Sequence, residues 1–234
     1  MYSFPPIAAA ISALHTVVTG LVSIFDPFLG VASATAAIVA LVVVIRTLLI
    51  PLGYAQVRAE QTRSRLAPAV REIQRKHQKD PERLRRELAA LYAREQTTPL
   101  AGCLPALAQA PVFTVLYGLF LVPEIDGQSN GLLGQTLAGA PLGAQLADVL
   151  TEPQVLVFAT LFALLGLVAW ATRRITPVVE APGAALVRLL PFGTLVVAAF
   201  VPLAAGIYLF ASTAWTVGER VTLRRIVASR AADG

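Results

Sequence analysis

The basic residues of this 234-residue chain fall in blocks, separated by long stretches without lysine or arginine. None occurs in residues 1–45 or 96–171, whereas the stretch from Arg58 to Arg94 is dense in them. Only 14% of the residues are charged, against about 25% in soluble domains. Basic blocks that flank apolar stretches are typical of membrane proteins, whose cytoplasmic loops are positive. This pattern accounts for the net charge of +5, so direct nucleic-acid binding is not expected.

Five apolar stretches are predicted to cross the membrane, since a spanning helix needs about 20 residues. The last two are short and meet at a turn near Val201-Pro202-Leu203, because proline breaks a helix. The predicted spans are residues 31–54, 100–122, 155–172, 184–201 and 202–218.

The charge blocks orient these spans. The loop of residues 123–154 carries acids and no base, which predicts that it is external. Residues 55–99, 173–183 and the short tail 219–234 carry basic blocks, which predicts that they are cytoplasmic. We therefore expect a multi-pass protein of the bacterial plasma membrane, with its N-terminus outside and its C-terminus in the cytoplasm.

The N-terminal segment, residues 1–30, leaves two placements open. Residues 7–25 are uncharged and long enough to span the membrane. Yet Ser12, Thr16, Thr19 and Ser23 recur at helical spacing, which favours an amphipathic helix in the outer interface. No basic leader segment precedes this stretch, so a cleaved signal peptide is not expected.

Residues 55–99 are predicted to form a cytoplasmic helical hairpin. Asp80-Pro81 is a turn signal in which Asp80 caps the following helix. Two interpretations stay open, a solvated connector and a docking platform for partners. The residues expected to serve docking are Arg71, Arg75, Arg83, Leu84 and Leu88.

Arg46 lies inside the first predicted span. A guanidinium near the bilayer centre costs about 2.5–3.5 kcal/mol on insertion scales and stays charged at physiological pH. The guanidinium must therefore extend towards the membrane interface, pair with another polar group, or face a water-filled cavity. We favour the water-filled cavity. Polar residues elsewhere on the spans are candidates to line that cavity or to join helices by hydrogen bonds. They are Thr35, Gln109, Tyr117, Ser212, Thr213 and Trp215.

Signatures of catalysis are missing from the sequence. It has no G-x-S-x-G, H-E-x-x-H, P-loop or C-x-x-C motif, and its single cysteine is Cys103. The predicted topology separates His15 from His77 by the membrane, so the two cannot share a metal. Neither enzyme activity, a metal site nor a cofactor is expected.

Several motifs follow one another along residues 25–228. They are Ile45–Leu52 with its single arginine, Leu66–Gln74, Gly102–Pro105, Pro111–Phe113, Leu190–Phe192, Val201–Tyr208 and Trp215–Gly218. Their order and spacing resemble those of the YidC/Oxa/Alb family of membrane protein insertases, in the Gram-positive-like form without a large periplasmic domain.

The resemblance implies an all-α membrane protein whose five transmembrane helices surround a hydrophilic groove open to the cytoplasm and to lipid. It implies that Arg46 attracts acidic segments of incoming chains, and that Gln109, Thr213 and Trp215 help line the groove. The implied partners are newly made membrane proteins and the lipid bilayer, with the Sec translocon and the ribosome as further candidates.

Two other functions fit a membrane protein with a buried arginine. A small transporter or channel is one, although the inverted repeats typical of transporters are not detected in this sequence. A non-inserting assembly factor is the other, and it differs from an insertase only in activity.

Overall fold

A computed structural model of the chain describes residues 4–98, 104–176 and 189–232. This part is predominantly helical, which confirms the predicted all-α class. The helices are α1 (Pro5–Leu29), α2 (Ser33–Leu48), α3 (Ile50–Lys76), α4 (Pro81–Arg94), α5 (Leu104–Leu121), α6 (Gly131–Gly134), α7 (Val155–Ile175), α8 (Gly193–Ala198) and α9 (Leu203–Ala232). Single 3-10 turns lie at Gly30–Ala32, Leu146–Val149 and Leu190–Phe192.

Two small antiparallel hairpins, which the sequence did not predict, lie between α5 and α7. Strand β1 (Glu124–Ile125) pairs with β2 (Gln128–Ser129), and β3 (Thr136–Leu137) pairs with β4 (Ala140–Pro141).

The first two helices are joined by a sharp turn at Gly30, whose φ of 48° and ψ of −121° suit a residue without a Cβ atom. α1 packs against α2 and α5. The Ser12 hydroxyl donates to Asp126 Oδ2 at 2.5 Å, in the turn between β1 and β2. The middle of α1 is thereby fixed to the segment that follows α5.

The predicted span 31–54 is divided in the structure at Leu49, where α2 ends and α3 begins. Pro51 explains the break, because a continuous helix would need an N–H at this position and would clash with the proline ring. In the first turn of α3 the missing donor costs nothing. α3 then runs unbroken through Pro68 to Lys76, well beyond the predicted end of the span.

α3 and α4 pack as a helical hairpin. The predicted cap is confirmed, since Asp80 Oδ1 accepts a hydrogen bond from the Arg83 backbone N–H at 3.0 Å. Arg65 and Glu95 form an ion pair of 2.6 Å across the hairpin, but the Arg65 side chain is 69% exposed. An exposed pair of this kind contributes little stability, so the hairpin depends on its apolar contacts.

The core lies where α1, α2, α5, α7 and α9 meet. Ile38, Phe120, Phe158 and Leu203 are almost completely buried there. Outward-facing side chains are also large and apolar; Leu48 of α2 is 74% exposed. Exposed apolar faces of this extent are typical of contact with lipid.

Two helical stretches in the described ranges are long and apolar enough to cross a membrane, residues 5–48 and Val155–Ile175. The first of these combines α1 and α2 across the turn at Gly30.

Asn130 closes the C-terminal end of α5. Its Nδ2 group donates to the carbonyls of Leu119, at 2.8 Å, and Val122, at 3.1 Å. Its Oδ1 accepts from the Leu132 N–H at 3.3 Å, and only 5% of the residue is exposed. One buried side chain thus provides hydrogen-bond partners for backbone carbonyls at the end of α5 and for a backbone N–H at the start of α6.

We expect Asn130→Ala to lower stability by about 1–3 kcal/mol, because buried carbonyls lose their donor. The thermal unfolding midpoint of the detergent-solubilised protein should fall clearly. Gln128→Ala, two residues away and exposed, is the matched control and should leave the midpoint almost unchanged. Equal midpoints for the two variants would contradict the capping role.

Candidate functional site

A cavity of about 290 Å³ lies where α2, α3 and α9 meet, beside the end of α7. Three arginines and two glutamates line it, which leaves an excess of one positive charge. Its lining residues are Arg46, Leu49, Leu52, Gly53, Gln56, Val57, Glu60, Arg63, Thr176, Thr216, Glu219, Arg220 and Leu223.

The lining follows from helical periodicity. Residues three and four apart share one face of a helix, and the α3 contribution repeats at this spacing from Gly53 through Gln56 and Glu60 to Arg63. On α9, Thr216, Glu219 and Leu223 do the same. One polar face of each helix is therefore turned towards the other, and water or a polar ligand can enter between them.

Arg46 is half-buried at one end of this cavity. Its Nη2 group donates a hydrogen bond to Ser212 Oγ on α9, and Ser212 is itself only 5% exposed. Arg46 also interacts electrostatically with Tyr208 and Glu219 of the same helix. The guanidinium is thus oriented by α9 while it remains in contact with the cavity.

A charged cluster joins three helices farther along the cavity. Arg224 of α9 donates to Glu60 Oε1 of α3 at 2.8 Å, and also to the Ile175 carbonyl at the end of α7. Both members of the ion pair are about one-third exposed or less. Glu60 lines the cavity, but its carboxylate is paired with Arg224.

The predicted groove residues are placed at several points. Ser212 contacts Arg46, and Trp215 follows on the next turn of α9, with Nε1 buried and without a hydrogen-bond partner of standard geometry. Thr213 donates within its own helix to the Leu209 carbonyl at 2.7 Å. Thr213 and Trp215 do not belong to the cavity lining.

Three other predicted groove residues lie apart from Arg46. Thr35, at the start of α2, is about 16 Å from it along the helix, and its hydroxyl is buried away from this cavity. Tyr117 lies on α5 and packs against the hydrophobic core of the protein. Gln109 also lies on α5, in a stretch whose side chains fall outside the described part of the chain.

The hairpin residues expected to serve docking divide into two groups. Arg71, Arg75 and Arg83 are exposed, whereas Leu84 and Leu88 are half-buried. A largely apolar groove of about 550 Å³ runs between α3 and α4, and Leu88 lines it together with Val70 and Tyr92.

Sequence reasoning missed Glu219 and Gly53. It ended the last span at residue 218 and assigned Glu219 to the tail, but α9 continues without a break to Ala232. Glu219 follows Ser212 by seven residues, two turns on the same face, and this spacing was the available signal. Among the described residues, no group of three His, Cys, Asp or Glu side chains is placed to hold a metal ion.

Comparisons with known proteins identify the relatives of this chain. A family model described as 60Kd inner membrane protein matches residues 24–230. A membrane protein insertase YidC of Zymomonas mobilis is 31% identical over 189 residues, which cover 78% of this chain and 32% of that protein. A YidC of Mycobacterium leprae is 29% identical over 224 residues, which cover 77% of this chain and 59% of that protein.

A third relative, the YidC of Streptomyces avermitilis, is 37% identical over 120 residues, which cover 47% of this chain and 28% of that protein. The chain thus spans less than two-thirds of the length of these relatives. The family match includes every residue that lines the cavity. The chain therefore belongs to the YidC/Oxa/Alb family, matched here as the 60Kd inner membrane protein family.

Proposed function

We propose that this chain is a membrane protein insertase and chaperone of the bacterial plasma membrane, which inserts newly made membrane proteins and helps them fold. The observation that carries the proposal is the half-buried Arg46, held by Ser212 at the end of a polar cavity. Relatives that bear the name membrane protein insertase support it. The action is physical, and it requires neither a covalent step nor a cofactor.

The cavity reduces the cost of bringing a polar segment into the membrane. An unpaired polar group costs several kcal/mol in hydrocarbon, but in the cavity it meets water and charged side chains. The excess positive charge of the cavity, to which Arg46 contributes, attracts acidic segments of the incoming chain. Apolar segments of that chain then move sideways from the cavity into the lipid, where apolar side chains are favourable.

Five spans with an external N-terminus remain the favoured arrangement. They are α2 with the start of α3, then α5, α7, the predicted span 184–201 and the first half of α9. Residues 184–188 of that predicted span lie outside the described part of the chain. The cavity, lined by Arg63 and Arg220, would then open towards the positively charged cytoplasmic side. Local thinning of the bilayer around the short last two spans would lower the barrier further.

Contacts of α1 support its placement in the outer interface. Ser12 bonds to Asp126, and the turn at Gly30–Ala32 packs on β3. These two points are about 27 Å apart along the helix. Contact with the proposed external segment at both points supports a helix that runs along this segment.

The topology is tested by thiol labelling from the outside of intact cells, with Cys103→Ser as background. We expect Gln128→Cys to react with a membrane-impermeant maleimide and Gln78→Cys to react only after the cells are permeabilised. Both positions are exposed, so they form a matched pair. Labelling of Gln78→Cys in intact cells would contradict the orientation.

In this function the hairpin α3–α4 receives the substrate or its carrier. The exposed Arg71, Arg75 and Arg83 suit acidic partners, and Leu84 and Leu88 suit apolar ones. Interactions with the Sec translocon and the ribosome are further expectations of this proposal.

Reconstitution into liposomes distinguishes the proposed function from its alternatives. We expect the purified protein to promote insertion of a small membrane protein with an acidic translocated tail, scored by protease protection. An assembly factor would bind the substrate without protecting the tail. A transporter or channel would instead release an entrapped solute. We expect the liposomes that contain this protein to retain the solute.

A further inference from the structure

Glu219 lies in the cavity beside Arg46, but the two do not form an ion pair. Their charges interact, whereas the hydrogen bond of Arg46 goes to Ser212. Glu219 Oε1 is buried and has no hydrogen-bond partner of standard geometry. A carboxylate in this position is attracted by Arg46, and it also interacts with Trp215 and Arg220 of its own helix.

The space for this carboxylate is provided by Gly53. A Cβ atom added at Gly53 would lie 1.8 Å from Glu219 Oε1. The carboxylate therefore occupies the volume that a side chain at position 53 would fill. Gly218, the neighbour of Glu219, has nothing within 4 Å of such an added atom, so the close fit is specific to Gly53.

The second glutamate of the cavity is different. Glu60 is bound to Arg224 at 2.8 Å, whereas the carboxylate that interacts with Arg46 is that of Glu219. Of the two glutamates that line the cavity, Glu219 alone is thus available to balance Arg46.

We propose that Glu219 is an internal counter-charge that determines how selective the cavity is for acidic segments. An acidic group that approaches Arg46 must displace the Glu219 carboxylate, so weakly acidic segments are rejected and strongly acidic ones are accepted. This role rests on the proposed insertase function, but the charge balance itself can be measured without any insertion.

Iodide quenching of Trp215 reports anions that come close to Glu219, because the Trp215 side chain interacts with this carboxylate. With Trp170→Phe as background, Trp215 is the sole tryptophan and lies one turn from Glu219 on α9. We expect Glu219→Gln to raise the iodide quenching constant about threefold, because a nearby negative charge is removed, and to leave quenching by neutral acrylamide unchanged. Adding Arg46→Ala should remove most of this rise. The exposed Glu87→Gln, which changes net charge equally, should have no effect.

Gly53→Ala provides a test in which the net charge is preserved. The added methyl group should displace the Glu219 carboxylate, and iodide quenching should rise as in Glu219→Gln, whereas Gly218→Ala should not change it. An unchanged iodide constant in Glu219→Gln, or an equal rise in Glu87→Gln, would overturn the inference.

Insertion assays then show whether the counter-charge acts on substrates. We compare the insertion rates of a substrate with three tail carboxylates and a substrate with one. We expect Glu219→Gln to reduce the ratio of these two rates at least about threefold. If Arg46→Ala impairs insertion but Glu219→Gln leaves this ratio unchanged, the insertase function stands and the selectivity role fails. If Arg46→Ala itself has no effect, the proposed mechanism of insertion fails.

Discussion

Replacing Arg46 with alanine should reduce insertion of an acidic-tailed membrane protein at least about tenfold. A factor of ten corresponds to about 1.4 kcal/mol in the barrier, and the attraction of two unit charges about 4 Å apart at a protein surface is larger than this. The loss should be confined to acidic tails, because the variant leaves the polar cavity in place. A substrate with a neutral tail should be inserted within about twofold of the wild-type rate.

Two control variants separate charge from geometry. Arg46→Lys keeps the charge but loses the planar group that contacts Ser212, so we expect an intermediate rate. Arg86→Ala removes an exposed arginine of α4 and should leave insertion unchanged. Equal losses for acidic and neutral tails in Arg46→Ala would indicate a structural role of Arg46 and would count against attraction of acidic segments.

Replacing Gly206 with leucine should prevent accumulation of folded protein. Gly206 is at the contact between α9 and α7, and an added Cβ atom would lie 2.7 Å from Leu161 Cδ2. Its neighbours Ala204 and Ala205 are at most 1% exposed, so the helices cannot separate locally. Small residues permit this kind of close approach in membranes, and overpacking costs typically 1–3 kcal/mol or more.

The Gly206 prediction is checked by the thermal midpoint and yield in detergent. Gly206→Ala should cause a moderate loss, because the end of the Leu161 side chain can shift. Leu161→Ala should partly rescue Gly206→Leu, since it vacates the space that the larger side chain needs. Gly166→Leu on α7 has no atom near its added Cβ and is the matched control. Normal folding of Gly206→Leu would contradict the packing described for α7 and α9.

Helix content could be predicted because it depends on local sequence. Apolar stretches specify helices, and Asp80-Pro81 specifies a cap that the structure contains. The orientation of the spans, which follows from the basic blocks, stays a prediction. The ends of helices could not be predicted in this way. Hydrophobicity marks where a span leaves the lipid, but α3 continues beyond that point through Pro68 to Lys76, and α9 continues to Ala232.

The candidate site was predictable where one residue was unusual in its surroundings. Arg46 was identified from its charge in an apolar stretch, and Ser212 from its clustering with other polar residues. Glu219 was missed because it was assigned to the tail, and Gly53 because its role is to leave space. Thr35 was grouped with Arg46 because it is a polar residue of the same predicted span, but about 16 Å along α2 separates the two.

Thiol accessibility at position 46 tests the central claim most directly. In a Cys103→Ser background, Arg46→Cys should react with a small, charged, membrane-impermeant thiol reagent in inside-out vesicles. The same variant should not react with this reagent in intact cells. Leu48→Cys, two residues further along α2 on its exposed apolar face, should remain unreactive because lipid covers it. Absence of reaction at position 46 from the cytoplasmic side, or equal reaction at both positions, would contradict a water-filled cavity around Arg46.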